Sequence, residues 1–255
     1  MATEKYDKIG RGGIVKEGIF VRFPELIPAC TDEIFWSSEN HSRLLIVAES
    51  NYFEDEAESV YKSVFKNPEA WYQGEDRQHL IPTTGKEPEE YKVKVSNWKA
   101  KYPPFDRLRD SMNAVSNGIH CERIFDEAMF YNYFLRPATV KVVRGKKNLT
   151  FKKDCAQIDR DVAGIALCGI IETAKPDIVI FISKYAYDEF RNYIKACGNK
   201  NSFRDFGNCF ELTGEINVRI EFVNHPSHPA GWWNYKTGNG KQKFERLLRE
   251  YWIKK

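Results

Sequence analysis

Leu44 to Phe53 (LLIVAESNYF) constrains the fold more than any other stretch of the chain. Leu44, Leu45, Ile46 and Val47 run without a break into Ala48, Glu49, Ser50, Asn51 and Tyr52, and Glu54, Asp55 and Glu56 follow. A short run that is apolar on consecutive positions suits a strand covered on both faces, as strands of a parallel sheet are. A polar cluster where such a strand stops suits a site at the carboxyl edge of the sheet. The acidic residues favour the amino end of a helix, and Ala57, Val60, Tyr61, Val64 and Phe65 then recur at the spacing of one helical face.

Three more segments repeat the strand pattern. Glu127 to Phe134 (EAMFYNYF) is an apolar and aromatic run whose strongly polar interior residue is Asn132. Ile178 to Ile182 is the third, ending at Ser183-Lys184, and in the fourth Val218, Ile220 and Phe222 alternate with Arg219 and Glu221. Helical periodicity lies between them. Ile158, Val162, Ile165 and Ala166 mark a helix within Asp154 to Lys175, stopped by Pro176, and Ala186, Phe190, Tyr193, Ile194 and Cys197 mark another, closed by Gly198. A last helix carries Phe244, Leu247, Leu248, Tyr251 and Trp252 on one side and Lys241, Lys243, Arg246 and Arg249 on the other. This alternation predicts a three-layer α/β/α fold around a central parallel four-stranded sheet.

At 255 residues and 42% hydrophobic, with no clear linker, the chain reads as one domain over residues 1–255. Residues 1–40, punctuated by glycine and then by Pro24 and Pro28, read as a covering arm or short strands. Gln73 to Val95 is polar, with Pro82, Gly85 and Pro88, and reads as a long surface loop. Asn97 to Asn117 reads as a partial helix interrupted by Pro103 and Pro104.

No apolar run approaches the roughly eighteen residues of a membrane span, and Met1 to Gly13 is charged and glycine-rich rather than signal-like. A soluble, cytoplasmic protein is the expectation. Cys30, Cys121, Cys155, Cys168, Cys197 and Cys209 are scattered, with no C-x-x-C pair, so reduced thiols and neither metal nor cofactor are expected. The net charge of +3 does not by itself argue for nucleic acid. Lys141 to Lys153, with six basic residues and no acidic one, is the most cationic window, and suits either a solvated loop or phosphate contacts.

If the four strands are parallel neighbours, their carboxyl ends collect Glu49, Ser50, Asn51 and Tyr52, then Asn132, then Ser183 and Lys184, then Asn224 and His225. Pro226 and Pro229 prevent Asn224 to Pro229 from continuing a helix or a central strand, so it reads as a rigid polar loop. Ala48-Glu49-Ser50-Asn51-Tyr52 after the first strand, Asn132 within Phe130-Tyr131-Asn132-Tyr133, and His225-Pro226-Ser227 after the fourth give the chain its family likeness. In this order they resemble the uracil-DNA glycosylase superfamily, over roughly Arg43 to Glu250.

The resemblance implies a monomer that flips a nucleotide out of DNA, duplex or single-stranded, and hydrolyses its N-glycosidic bond without metal or cofactor, for repair or for antiviral defence. In the family's pattern His225 contacts the carbonyl oxygen of the leaving base, and Asn132 bonds its Watson–Crick edge. Asn51 and Tyr52 line the base pocket, Tyr52 closing it against bulky substituents. Ser183, Lys184 and Ser227 are expected on the DNA, with Trp232 or Trp233 as a wedge in the vacated stack. The alternative for the two tryptophans is packing over the final helix. One departure stands out: many members carry a water-activating aspartate or an asparagine where this chain has Ser50, which is not an anion at neutral pH. Either Glu49 takes over as base or electrostatic stabiliser, or the protein is a non-catalytic DNA- or nucleotide-binding relative. A Ser50/His225 hydrolase is a third, weaker reading, since the G-x-S-x-G elbow is absent.

Overall fold

A computed structural model of the chain describes residues 19–23, 26, 28, 30, 35–36, 38–52, 67–73, 103–116, 120–122, 124–138, 140–143, 146–149, 151–197, 203–214, 217–233 and 239–254. The helix expected over Ala57 to Phe65 and all but the first residue of the Gln73 to Val95 loop lie outside them. The elements of the first half are α1 (Ile19–Arg22), β1 (Leu44–Tyr52), α2 (Pro68–Gln73), α3 (Pro103–Val115), α4 (Ile124–Glu127), β2 (Met129–Ala138), β3 (Val140–Val143) and β4 (Lys146–Leu149). A 3-10 turn (Phe151–Lys153) leads into α5 (Gln157–Ala174), β5 (Ile178–Phe181), α6 (Lys184–Cys197), β6 (Phe203–Asp205), β7 (Cys209–Leu212) and β8 (Val218–Phe222). The chain then forms α7 (Pro229–Trp233) and α8 (Gly240–Leu247), which runs into a π-helical turn (Leu248–Trp252).

All four expected strands form, as adjacent parallel neighbours in the order β2-β1-β5-β8. Leu44 to Val47 are 0% exposed because helices cover both faces. On one face Leu45, Val47, Tyr131, Val179, Phe181 and Ile220 pack against α5 and α6. On the other, Leu44, Ile46, Phe130, Ile178 and Ile180 pack with side chains of α3, α8 and the π-helical turn.

The sheet has six strands rather than the four expected. β7 pairs antiparallel with β8, and β6 with β7, so the parallel core gains a mixed edge. These strands are short, and β6 is largely exposed, which leaves little apolar periodicity to read. What makes them a hairpin is Gly207 at φ 84°, a left-handed conformation that other residues adopt at a cost. Asp205 is fixed beside the turn by ion pairs to Arg191 and Lys195 of α6.

Pro103 and Pro104 open α3 instead of interrupting a helix, since the first turn has no partner for the N–H that proline lacks. The cationic window from Lys141 is not a plain loop: most of it is the antiparallel β3–β4 hairpin, and Lys152 and Lys153 stand exposed on the 3-10 turn after it. In the amino-terminal arm, Phe20, Phe23 and Phe35 are buried in the α5/α6-side core, where Phe23 stacks on Trp71 at 4.5 Å.

One buried ion pair ties β2 to this layer. Arg136 donates from Nε and Nη2 to the two oxygens of Asp159 at 2.8 and 2.6 Å, and both side chains are fully buried. Asp159 also accepts from the Tyr72 hydroxyl at 2.8 Å and from the Ala156 backbone N–H at 2.7 Å, which caps α5. Each oxygen of the carboxylate is thereby satisfied by two donors, the condition under which a buried charge is tolerated. Asp159→Ala strands the guanidinium and is expected to cost ~3–5 kcal/mol in urea unfolding. Arg43→Ala, which removes the exposed Arg43–Asp177 pair, is expected to cost less than ~1 kcal/mol; similar losses from the two variants would contradict this account.

Candidate active site

Strand register decides which side chains meet at the carboxyl edge. Val47 lies opposite Tyr131 and Phe181, and Phe181 opposite Phe222. β5 and β8 end at that level, but the backbone bonds Ile182 N–H to Val47 O and Val223 N–H to Phe181 O, both 2.8 Å, carry the alignment one residue on. Ala48, Asn132, Ile182 and Val223 therefore form the next row, and Glu49, Ser183 and Asn224 the row above it.

Glu49 is clamped at this edge. Its Oε2 accepts from the Ser183 hydroxyl at 2.7 Å and its Oε1 from the Phe151 backbone N–H at 2.7 Å. Ser183 Oγ in turn accepts from Ala186 N–H at 3.3 Å, capping α6. Buried Ser183, expected on the DNA, thus directs its hydroxyl proton to Glu49. Each carboxylate oxygen keeps further acceptor capacity for a water or a sugar-bound proton.

Strand alternation separates two residues expected to work together. Glu49 continues the Leu45–Val47 set on the α5/α6 face, while Asn132 continues the Ala48–Phe130 set on the α3/α8 face. They reach the edge from opposite sides of the sheet. Ser50 is 7% exposed, and among the described residues its hydroxyl has no hydrogen-bond partner. It lies opposite Phe134, and the next pairing is Tyr52 with Ala138, so β2 carries extra residues there and bulges away from a regular ladder. Asn51 and Tyr52 end β1; their side chains lie outside the described parts of the structure.

The His225 turn is held by its own hydrogen bonds. The Ser227 backbone N–H donates to His225 Nδ1 at 3.0 Å, and Ser227 Oγ lies 2.6 Å from the same nitrogen. A backbone N–H can only donate, so Nδ1 is an acceptor and the neutral ring carries its proton on Nε2. Burial, and then the adjacent His228, push the His225 pKa down to about 4, which keeps the ring neutral near pH 7. His228 accepts from Gly231 N–H at 3.0 Å and lies on the surface. From α3, Arg107 Nη1 donates to the Pro226 carbonyl oxygen. On the other side Gly240 packs so closely that a Cβ there would lie 2.8 Å from the Asn224 carbonyl oxygen.

Ser227 serves as a partner of His225. Lys184 is exposed, bonded to Asp188 at 2.6 Å, and its ammonium lies 5.5 Å from the Phe222 ring centre. Trp232 is fully buried against Phe244, which withdraws it from the role of a wedge and leaves it in the packing role. Trp233 is 40% exposed, with the Lys241 ammonium 5.1 Å from its ring centre. Sequence reasoning missed the contacts of Arg107, Phe151 and Gly240, which come from segments distant in the chain and carry no local motif.

The fold and this edge define an α/β protein with helices on both faces of a six-stranded mixed sheet and a polar site where the parallel strands end. No protein-family model matches the chain, and no curated protein matches it. Among the described residues no helix is long and apolar enough to cross a membrane, and no group of three or more His, Cys, Asp or Glu side chains could hold a metal ion.

The His225 shift has a sign that can be measured. The ordinary value is 6.5 and the folded value about 4, so the unfolded chain binds the proton more readily between them. The stabilisation is complete above about pH 6.5 and is lost as pH falls toward 4. Urea midpoints of wild type are expected to decline through that window more steeply than those of His225→Gln; parallel declines would show that the ring titrates alike in both states.

Proposed function

We propose that the protein is a DNA glycosylase with a uracil-DNA glycosylase-like three-layer fold, which hydrolyses the N-glycosidic bond of a flipped-out altered pyrimidine and leaves an abasic site. The observation that carries this reading is the neutral His225 ring with its proton confined to Nε2. As the bond breaks, negative charge builds on the departing base, and a fixed neutral donor at its carbonyl oxygen stabilises that charge without reorganisation. The sugar meanwhile becomes cation-like, which favours a nearby carboxylate. Glu49, held by Ser183 and Phe151 N–H, supplies that charge or orients the attacking water in place of Ser50. Asn132 reads the Watson–Crick edge.

Extruding a base costs a few kcal/mol, so the protein must grip the backbone and brace the gap. Lys184 and the exposed Lys152 and Lys153 offer phosphate contacts, and Trp233 beside Lys241 offers the stacking surface. Uracil as the substrate would suit repair; a bulky phage-type modified cytosine would suit antiviral defence.

A second reading, a non-catalytic DNA- or nucleotide-binding protein, is favoured by one specific observation. Both oxygens of Glu49 already hold structural bonds, on the face opposite Asn132. A Ser50/His225 hydrolase loses support, because Ser227 and not Ser50 occupies His225 Nδ1.

Duplex and single-stranded oligonucleotides carrying uracil, hydroxymethyluracil or glucosylated hydroxymethylcytosine, followed by alkali cleavage of abasic sites, separate the two readings. Strand breaks are expected for at least one base. The rate is expected to fall ~10²–10³-fold in His225→Ala and strongly in Glu49→Gln. Tight DNA binding with no base released from any of them would establish the binding reading instead.

A further inference from the structure

We propose that Arg107 is a positioning residue that polarises the His225 imidazole through the single peptide unit between them. The Pro226 carbonyl oxygen that accepts from Arg107 and the Ser227 N–H that donates to His225 Nδ1 belong to the same amide. A guanidinium on the oxygen of an amide draws electron density toward it and makes the N–H a stronger donor, because hydrogen bonds in series polarise one another. A stronger donor at Nδ1 withdraws density from the ring. Protonation at Nδ1 then becomes harder and the proton on Nε2 becomes more acidic.

Arg107 suits the role because a guanidinium stays charged at every working pH. It comes from α3, an element otherwise packed into the core through Leu108 and Met112, and it is half-buried, where the field of a charge is less screened than in water. The turn has little freedom to evade it. Asn224 donates to Gly231 O at 3.2 Å, His228 N–H to His225 O at 3.0 Å, and Gly240 closes the far side. Among the described residues the titratable group against the ring is His228, on the same turn, and the charge reaching that turn from α3 is Arg107. The role rests on the reading of His225 as donor to the leaving base, and it adds a residue that touches neither base nor DNA.

The test uses the whole chain with nitrogen-15 histidine labelling. Burial and His228 hold the His225 pKa at about 4; in Arg107→Gln it is expected to rise above the wild-type value, with the Nε2-protonated form less dominant. Single-turnover base release is expected to fall with DNA affinity unchanged, and Arg107→Lys, which restores a charged donor, to recover part of both effects. If both variants fold and the His225 titration and tautomer match wild type, the proposal is wrong. Wild type releasing no base while the ring still responds to Arg107→Gln would sink the glycosylase reading and leave the relay standing.

Discussion

The parallel register of β1 with β5 and β8 is the constraint on which everything else at the carboxyl edge depends. It places Ser183 level with Glu49, so the hydroxyl that caps α6 can also hold the carboxylate. It places Asn224 in the same row, so His225 emerges just past it. A slip of one residue in any of these strands would turn Glu49 into the opposite layer and dissolve the clamp. The register itself is selected by packing, since a slip would exchange the Leu45–Val47 set against α5 and α6 with the Leu44–Ile46 set against α3 and α8, and each layer is filled to fit its own set.

The edge is electrostatically divided. On the α5/α6 side stands an anion, Glu49, held by one hydroxyl and one backbone N–H. On the α3 side stand Asn132 and the His225 turn, braced by a cation. That is the polarity a dissociating glycoside would meet usefully, with negative charge beside the sugar and a donor beside the base. The geometry that separates Glu49 from Asn132 is thus compatible with a substrate lying across the edge rather than down one face.

Much of the fold was legible in the sequence, because two-sided burial leaves an unbroken apolar signature and helices a 3.6-residue one. The four strands, α5, α6 and the final helix stand close to where the pattern placed them. The antiparallel edge was not legible, since β6 and β7 are short and partly exposed. Two adjacent tryptophans look alike in sequence, yet successive helical residues differ by about 100° around the axis, and that rotation sends Trp232 into the core and leaves Trp233 outside. Arg107 was hidden for a different reason: its partner lies 119 residues away, and its own surroundings read as an ordinary amphipathic helix. Ser183 was legible as a strand-end residue, but not as the partner that holds Glu49.

The most direct test of the central claim, that a neutral imidazole donates to the departing base, is the pH dependence of single-turnover base release in wild type and His225→Gln. A donor already neutral predicts a wild-type rate that is flat from about pH 5.5 to about pH 8 and falls as the pH approaches that of the His225 titration, with His225→Gln slow throughout. A wild-type rate that climbs on acidification in step with the His225 titration would make the imidazolium the active form and contradict the account.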